Sequence, residues 1–395
     1  MLPIVKYALI PLLSCLGLAG VCLPYHAARA ADVDPAKSPA AIADPSATAA
    51  TANAEDDDAD DDDDETVDSG EGESRDACPA VDPGIVYSKD ISTADLAKRF
   101  VTDIASLGSI SVGFADEGSL INGVQMPTKP NDAWVVATPD YAWGTQEAID
   151  AVIAAAQSLH ESFPRAAPLR VSRIGLKEGG YLRPHKSHQS GRDVDLGFFY
   201  DDNVTSVNLR DRRPIMDAAL NWALLRELVT RADVQVVLVD HKISAFLHDY
   251  ALSIGEDPSW LSSLFGGQHP LIQHARRHRD HFHVRFFAPR SQELGRRIQP
   301  LLAKRADTNM AFHKVRSGDT LGHIAARYNS SIEAIKRANH MKNSFLSLAR
   351  TLVVPMRGPC THCPMPPPVV VPAKRLPPPE QSASADTVVA TEAQS

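Results

Sequence analysis

The stretch HRDHFHVRF, residues 278–286, places three histidines in and beside a run of aromatic and β-branched residues. If residues 281–287 form a strand, their side chains alternate between its two faces. His281 and His283 then share one face, and the intervening aromatic and aliphatic side chains point into a core on the other. Two imidazoles held side by side in this way can bind a metal and act as a base beside it.

A second segment, RPHKSHQSGRDVDLGFF at residues 183–199, supplies further ligand types. SGRD predicts a turn, and DVDLGFF predicts a strand in which Asp193 and Asp195 share a face. The turn can bring His188 and Asp195 toward a common point, with His185 nearby. Nitrogen and oxygen donors without a thiolate suit a catalytic zinc ion, in which three protein ligands leave one position open. The remaining histidines of the chain are predicted to be surface or hydrogen-bonded residues.

The elements around these segments predict an α+β fold, with an antiparallel-sheet body flanked by helices. Apolar spacing predicts helices over 92–105, from Thr145 to before Pro164, from Pro214, and over 241–252. Strands are predicted at 169–174, 234–239 and 281–288. Strands and helices do not alternate in a regular βαβ order, which argues against a parallel sheet.

The negative charge of the chain is concentrated in one segment. The net charge is −9, but residues 55–76 hold 14 acidic residues and one arginine, a local charge of −13 that leaves about +4 elsewhere. Residues 31–84 therefore predict an acidic disordered linker. This acidity does not mark the folded parts as binders of basic partners, and nothing predicts a nucleic-acid partner.

The N-terminus has the pattern of a secretory signal peptide. Lys6 precedes an apolar run over residues 7–23, and the small-residue site ARA ends at Ala30. A membrane anchor is the alternative, although the run is short for a span, and a lipidation site at Cys15 or Cys22 is a further one. We expect cleavage after Ala30, no stable membrane span afterwards, and a periplasmic or secreted, cell-wall-associated protein.

Export would leave three cysteines, Cys78, Cys360 and Cys363. The Cys-x-x-Cys spacing of the last two suits a redox or metal pair, or a small structural disulfide. We favour the disulfide, because the second cysteine pair of a zinc ribbon is missing and the compartment is oxidising. Residues 357–395 are rich in proline or lack apolar periodicity, and predict a disordered tail.

Residues 313–356 predict a small βααβ domain after a linker at 299–312. SGDTL at 317–321 combines a turn with a helix cap, two short apolar stripes follow, and TLVVP at 351–355 closes the sheet. This pattern resembles a LysM domain. The resemblance implies binding to N-acetylglucosamine glycan strands of the cell wall; a structural appendage without glycan affinity is the alternative.

SHQSGRDVD and HRDHFHVRF together resemble the penicillin-insensitive murein endopeptidases, which are secreted zinc peptidases of the lysostaphin, D-Ala-D-Ala metallopeptidase and hedgehog superfamily. The resemblance covers about residues 105–290, within a predicted domain at 85–298. It implies zinc ligands at His188, Asp195 and His283, a catalytic base at His281, and site-lining histidines at His185 and His278. Cysteines that link some relatives are absent, and residues 200–213 look like an insertion.

This resemblance implies an exported, zinc-dependent peptidoglycan endopeptidase that cuts D-alanyl cross-link peptides while the LysM domain holds the glycan. Two alternatives stay open at this stage. A D,D-carboxypeptidase that trims stem peptides would use the same metal ligands. An inactive wall-binding adaptor would have no need of an intact ligand set.

Overall fold

The computed structural model describes residues 87–201, 211–361, 363 and 365–379. The predicted signal peptide, the acidic linker, Cys78, most of the 200–213 loop and residues 380–395 lie outside these ranges. Within the described residues, no helix is both long and apolar enough to span a bilayer.

The described α-helices are α1 (Thr93–Thr102), α2 (Gln146–Ser162), α3 (Ala218–Arg231), α4 (His241–Ser253), α5 (Pro258–Phe265), α6 (Pro289–Ile298), α7 (Leu321–Arg327) and α8 (Ile332–Ala338). The strands are β1 (Ile110–Gly113), β2 (Gly118–Ile121), β3 (Val124–Gln125), β4 (Trp134–Val136), β5 (Trp143–Gly144), β6 (Leu169–Val171), β7 (Asp193–Gly197), β8 (Val234–Val239), β9 (Ile272–His274), β10 (His281–Phe286), β11 (Met310–Lys314) and β12 (Thr351–Pro355). Short 3-10 turns cover Ile104–Leu107, Pro139–Tyr141, Arg213–Ile215 and Gln299–Lys304.

Polar caps decide where the helices begin. Ser92 caps α1 and Thr145 caps α2, as the sequence predicts. Helix α3 begins at Ala218, later than the predicted start at Pro214. The reason is that Asp217 caps this helix: its Oδ1 accepts a hydrogen bond from the Leu220 N–H at 2.9 Å. Pro214 lies in the preceding 3-10 turn.

A six-stranded sheet with the order β4-β6-β7-β10-β8-β9 forms the centre of the body. The middle pairs β6–β7, β7–β10 and β10–β8 are antiparallel, while the outer pairs β4–β6 and β8–β9 are parallel. The predicted α+β class is confirmed, with a sheet that is antiparallel at its centre and parallel at both edges.

The two faces of this sheet differ in chemistry. Phe282 and Val284 of β10 are fully buried on one face, in a core shared with the apolar sides of α2, α3, α4 and α5. The opposite face carries the polar residues of β7 and β10, including Asp195 and His283. The alternation predicted from the sequence therefore separates a packing face from a polar face.

A second apolar cluster joins the N-terminal helix α1 to strand β1 and helix α6. Helix α6 approaches β1 closely at Gly295, where an added Cβ would lie 1.8 Å from the carbonyl oxygen of Ser111. Leu302 packs into the same cluster. Residues 299–304, which were expected to be linker, are thus part of the folded body.

Residues 310–355 form the predicted βααβ unit. Strands β11 and β12 pair antiparallel, and α7 and α8 pack on them around Ile324, Ile335 and Leu352. Cys360 and Cys363 form a disulfide directly after this unit, which confirms the structural pairing favoured from the sequence.

Residues 365–379 depart from the disordered tail that the sequence predicts. They lack regular secondary structure but lie against the peptidase body. Trp260 Nε1 donates to the carbonyl of Arg375 at 2.7 Å, and the Val371 N–H donates to the Tyr87 hydroxyl at 3.2 Å. The proline-rich composition favours an extended chain, but composition does not reveal whether a surface is present to bind it.

Candidate metal centre

Strand register places the acidic and histidine segments side by side. In the β7–β10 pair, Asp195 lies opposite His283 and Asp193 lies opposite Arg285. Directly opposed residues of an antiparallel pair project on the same face, with Cβ atoms about 4.5–5.5 Å apart. Two segments almost ninety residues apart in sequence therefore converge as predicted.

The turn before β7 holds His188 in a defined orientation. Its backbone is left-handed (φ 66°), and its N–H donates to Asp193 Oδ2 at 2.8 Å. Its Nδ1 lies 3.0 Å from the carbonyl of Ile174, so Nδ1 carries the proton that it donates there. Nε2 is left with its lone pair directed at Asp195, the arrangement typical of a metal-binding histidine.

Three side chains meet at Asp195 Oδ1. His188 Nε2 lies 3.2 Å from this oxygen and His283 Nδ1 lies 3.1 Å from it. Ligand atoms about 2.0–2.1 Å from a tetrahedral zinc ion lie roughly 3.3 Å apart, so these separations match two edges of such a site.

Two of these residues contain polar atoms that the protein leaves unsatisfied. Among the described residues, His188 Nε2 and Asp195 Oδ1 are buried without a hydrogen-bond partner and lie 3.2 Å apart. A buried polar atom without a partner costs about 1–3 kcal/mol. A cation among these donors would remove much of that cost, so the residues fit a metal ion.

His185 is a second candidate for the third ligand. A nitrogen of His185 lies within 4.8 Å of ligand atoms of His188 and Asp195. However, its Nε2 accepts a hydrogen bond from Arg173 Nη1 at 2.7 Å. Burial, followed by the electrostatic effect of His188, lowers the pKa of His185 to about 3. We therefore favour His283 as the ligand and His185 as a neutral neighbour, in line with the sequence prediction.

His281 lies at the rim of the cluster. Its Nε2 is 3.6 Å from Asp195 Oδ1, and its Nδ1 is 2.7 Å from Asp280 Oδ1. Partial desolvation would raise the pKa of Asp280, but the hydrogen bond and charge of His281, with the charge of Arg212, hold it below its usual value. Asp280 therefore keeps the proton of His281 on Nδ1. Sequence reasoning missed Asp280, although its position next to His281 was a usable signal.

His278 completes the group of histidines. Its ring centre is 5.0 Å from that of His281 and 5.6 Å from that of His283. Its Nδ1 lies 2.8 Å from the carbonyl of Arg276, which fixes the ring orientation. The six residues to which the resemblance assigns a role therefore lie in one cluster: His185, His188, Asp195, His278, His281 and His283.

Asp193 and Arg285 form a buried ion pair behind the cluster. Arg285 Nε donates to Asp193 Oδ1 at 2.6 Å, and His283 Nε2 lies 3.5 Å from the same oxygen. Burial would raise the pKa of Asp193, but Arg285 and His283 hold it well below its usual value. Burial would lower the pKa of His283, but Asp193 and Asp195 raise it to about 9. Because Arg285 balances the charge of Asp193, Asp195 is the carboxylate whose charge attracts a cation to the site.

A groove of about 1000 Å³ opens beside the cluster, over β8 and β9. Leu238 lies opposite His283 and Gln273 lies opposite Leu238, so one row of side chains runs from Asp195 across the sheet into the groove. Its lining of apolar, glutamine, serine and histidine side chains could hold an extended peptide next to the metal ligands.

A further group of ligand types, Asp240, His241 and His274, lies at the end of β8 and β9. Both histidines are exposed, as expected from the sequence. The His241 N–H donates to His274 Nδ1 at 3.0 Å, and Arg279 Nε is 3.8 Å from Asp240 Oδ2. The arginine supplies a positive charge beside the carboxylate, so this group attracts a metal less than the first cluster does.

Comparison with known protein families gives two matches. The sequence model of the penicillin-insensitive murein endopeptidases matches residues 111–307. The sequence model of the LysM domain matches residues 313–355. The first match contains every residue of the histidine and aspartate cluster.

Proposed function

Since this chain belongs to the penicillin-insensitive murein endopeptidase family and carries a LysM domain, we propose that it is an exported zinc peptidase that hydrolyses the D-alanyl cross-link peptides of peptidoglycan. The LysM domain would hold the N-acetylglucosamine-containing glycan strand. The protein would act in the periplasm or outside the cell, at the wall.

The observation that carries this proposal is the convergence of His188, Asp195 and His283 on one point, with buried donor atoms that the protein leaves without partners. Two imidazoles and one carboxylate are a ligand set that suits catalytic zinc. When bound, zinc supplies a Lewis acid that polarises the scissile carbonyl and acidifies the attacking water.

His281 is suited to move the proton. Asp280 accepts its Nδ1–H, so the lone pair of Nε2 faces the cluster and can take a proton from the attacking water. The same nitrogen can then protonate the leaving amine. Asp280 also stabilises the imidazolium that forms between these two steps.

His185 is suited to donate a hydrogen bond to the substrate oxygen, whereas His278, whose Nδ1–H is donated to the Arg276 carbonyl, would line the site. Arg173 donates to His185 Nε2, so the proton of this neutral ring is on Nδ1, which can donate a hydrogen bond. Donors held in advance near a developing negative charge are an effective source of catalysis. No serine nucleophile takes part in this scheme, so β-lactams that acylate serine would not block it.

The experiment is a digest of purified cross-linked muropeptides by the full-length protein, followed by chromatography of the products. We expect monomers from dimers, loss of activity with a chelator, and recovery when zinc is added back. His188→Ala should remain inactive after zinc is added. Release of free D-alanine without cleavage of dimers would instead identify a D,D-carboxypeptidase, and wall binding without any cleavage would identify an adaptor.

A further inference from the structure

The LysM domain packs directly on the peptidase body. Leu352 and Val354 of β12 point into the LysM core, while Val353 points outward. The Val353 Cγ2 atom lies 2.8 Å from the position that a Cβ on Gly180 would occupy. Gly180 is buried and has a positive φ of 82°, so a side chain there would be strained and would also push the LysM strand away.

A second contact joins the same two segments. The Arg350 guanidinium lies 4.6 Å from the centre of the Tyr181 ring, within the range of a cation–π interaction. Burial lowers the pKa of Arg350, which agrees with a guanidinium partly enclosed between the domains. In addition, burial raises the pKa of Tyr328 in the LysM domain, and the charge of Glu117 in the peptidase body contributes to that shift.

The chain beyond the LysM domain is anchored as well. Lys374 forms an ion pair with Asp233, and Arg375 donates to the carbonyls of Ser263 and, at 2.9 Å, His269. The LysM domain is therefore held on both sides, by residues 299–304 that pack in the body before it and by residues 365–379 after it. A domain joined to the body by one flexible linker would not have anchoring contacts both before and after it.

The docked face is close to both candidate binding regions. Phe345 and Leu348, 75% and 69% exposed, lie in the loop that leads to Arg350 and can contact the apolar faces of sugar rings. On the peptidase side, Tyr181 is followed four residues later by His185. Four residues span at most about 14 Å, so the LysM contact lies a short distance from His185, whose ring centre is 5.0 Å from that of the ligand His188.

We propose that the docked LysM domain holds its glycan at a fixed distance from the metal cluster, which makes cross-linked peptides still attached to polymeric glycan the preferred substrate. This inference rests on the proposed function and extends it to the substrate class. A glycan held on the LysM loop would present its stem peptide to the cluster in one orientation. Fixed docking lowers the entropic cost of aligning the peptide, which a flexible tether would not do.

The test compares two substrates from the same wall preparation: intact insoluble murein, and the soluble cross-linked muropeptides that a muramidase releases from it. The variants of the full-length protein are Tyr181→Ala, the matched Tyr181→Phe, and the double variant Lys374→Ala/Arg375→Ala. A cation–π contact of about 0.5–2 kcal/mol corresponds to about a 2- to 30-fold effect.

We expect Tyr181→Ala to reduce kcat/KM on intact murein by a factor in that range, mainly through KM, with a smaller loss on soluble muropeptides. Tyr181→Phe keeps the ring and should behave like the wild type. The double variant, whose side chains contact Asp233 and the carbonyls of Ser263 and His269 rather than the metal cluster, should lose activity on intact murein and keep it on soluble muropeptides.

Equal effects of the variants on both substrates, or no effect on either, would overturn the inference. So would a wild-type protein that prefers soluble muropeptides. If Tyr181→Ala does not fold, the double variant alone decides between the outcomes. A zinc-loaded wild type that cuts neither substrate would instead refute the proposed function, so the two failures are distinguishable.

Discussion

Asp193 offers the sharpest test of how the site is held together. Its carboxylate accepts from Arg285 Nε at 2.6 Å and from the His188 N–H at 2.8 Å, and lies 3.5 Å from His283 Nε2. It therefore supports both candidate histidine ligands without belonging to the ligand set. Because the side chain is 1% exposed, solvent cannot replace these contacts when they are removed.

Asp193→Ala leaves the buried Arg285 without this carboxylate and should cost about 3–5 kcal/mol of unfolding free energy. Asp193→Asn keeps an oxygen that can accept a hydrogen bond but loses the charge, so its cost should be smaller. Residues that orient a metal ligand typically contribute about 10- to 100-fold to metal affinity. We therefore expect Asp193→Asn to weaken zinc binding by a factor in that range.

Urea denaturation of the metal-free protein measures the first quantity, and competition with a chromophoric chelator measures the second. Asp307→Ala is the matched control, because Asp307 forms an exposed pair with Arg305 whose loss should cost about 0–1 kcal/mol. If Asp193→Ala were as stable as this control, or if Asp193→Asn bound zinc like the wild type, the positioning role assigned to Asp193 would be wrong.

Further predictions concern the ligands, the base, pH and packing. His188→Ala should lower the zinc content from about one ion per chain to near zero in metal analysis, with the fold retained by circular dichroism. His281→Ala should lower kcat by about 10²- to 10⁴-fold while zinc content stays unchanged, and parallel loss of both would contradict its role as base. The pKa of His283 is raised to about 9 in the folded protein, from 6.5. Protonated His283 therefore stabilises the folded, metal-free protein fully below pH 6.5, and this stabilisation is lost as the pH rises through 9. Urea titrations at several pH values would detect the loss. In Gly295→Ala the new Cβ would lie 1.8 Å from the Ser111 carbonyl oxygen, so this variant should lose about 1–3 kcal/mol of unfolding free energy. In Gly322→Ala the nearest atom is 3.8 Å away, so this variant should gain roughly 0.5–1 kcal/mol. Thermal unfolding of both variants measures the difference.

Local patterns in the sequence predicted most of the elements that carry the site. The alternation in β10 put His281 and His283 on the face opposite to the buried Phe282, and the turn before β7 brought His188 to Asp195. The roles of these residues in zinc binding and cleavage stay predictions, which the variants above test. The start of α3 was misplaced because Pro214 and Asp217 both suit a helix start, and only the chain path decides between them.

The supporting contacts could not be predicted in the same way. Arg173 meets His185, and Arg285 meets Asp193, through pairings between strands and loops far apart in the chain. No local spacing encodes such pairings. The identity of the third ligand was likewise open at the level of geometry, because His185 and His283 both lie close to Asp195.

The sequence by itself determined the residue types that can bind a metal, the strand faces on which they lie, and the βααβ order of the second domain. These features follow from side-chain chemistry and from the periodicity of strands and helices, which act over a few residues. The tertiary structure alone decided which nitrogen of His188 faces Asp195, how Tyr181 meets Arg350, and where residues 365–379 lie. Those arrangements depend on shape and charge complementarity between distant segments, which comes into existence only when the chain is folded.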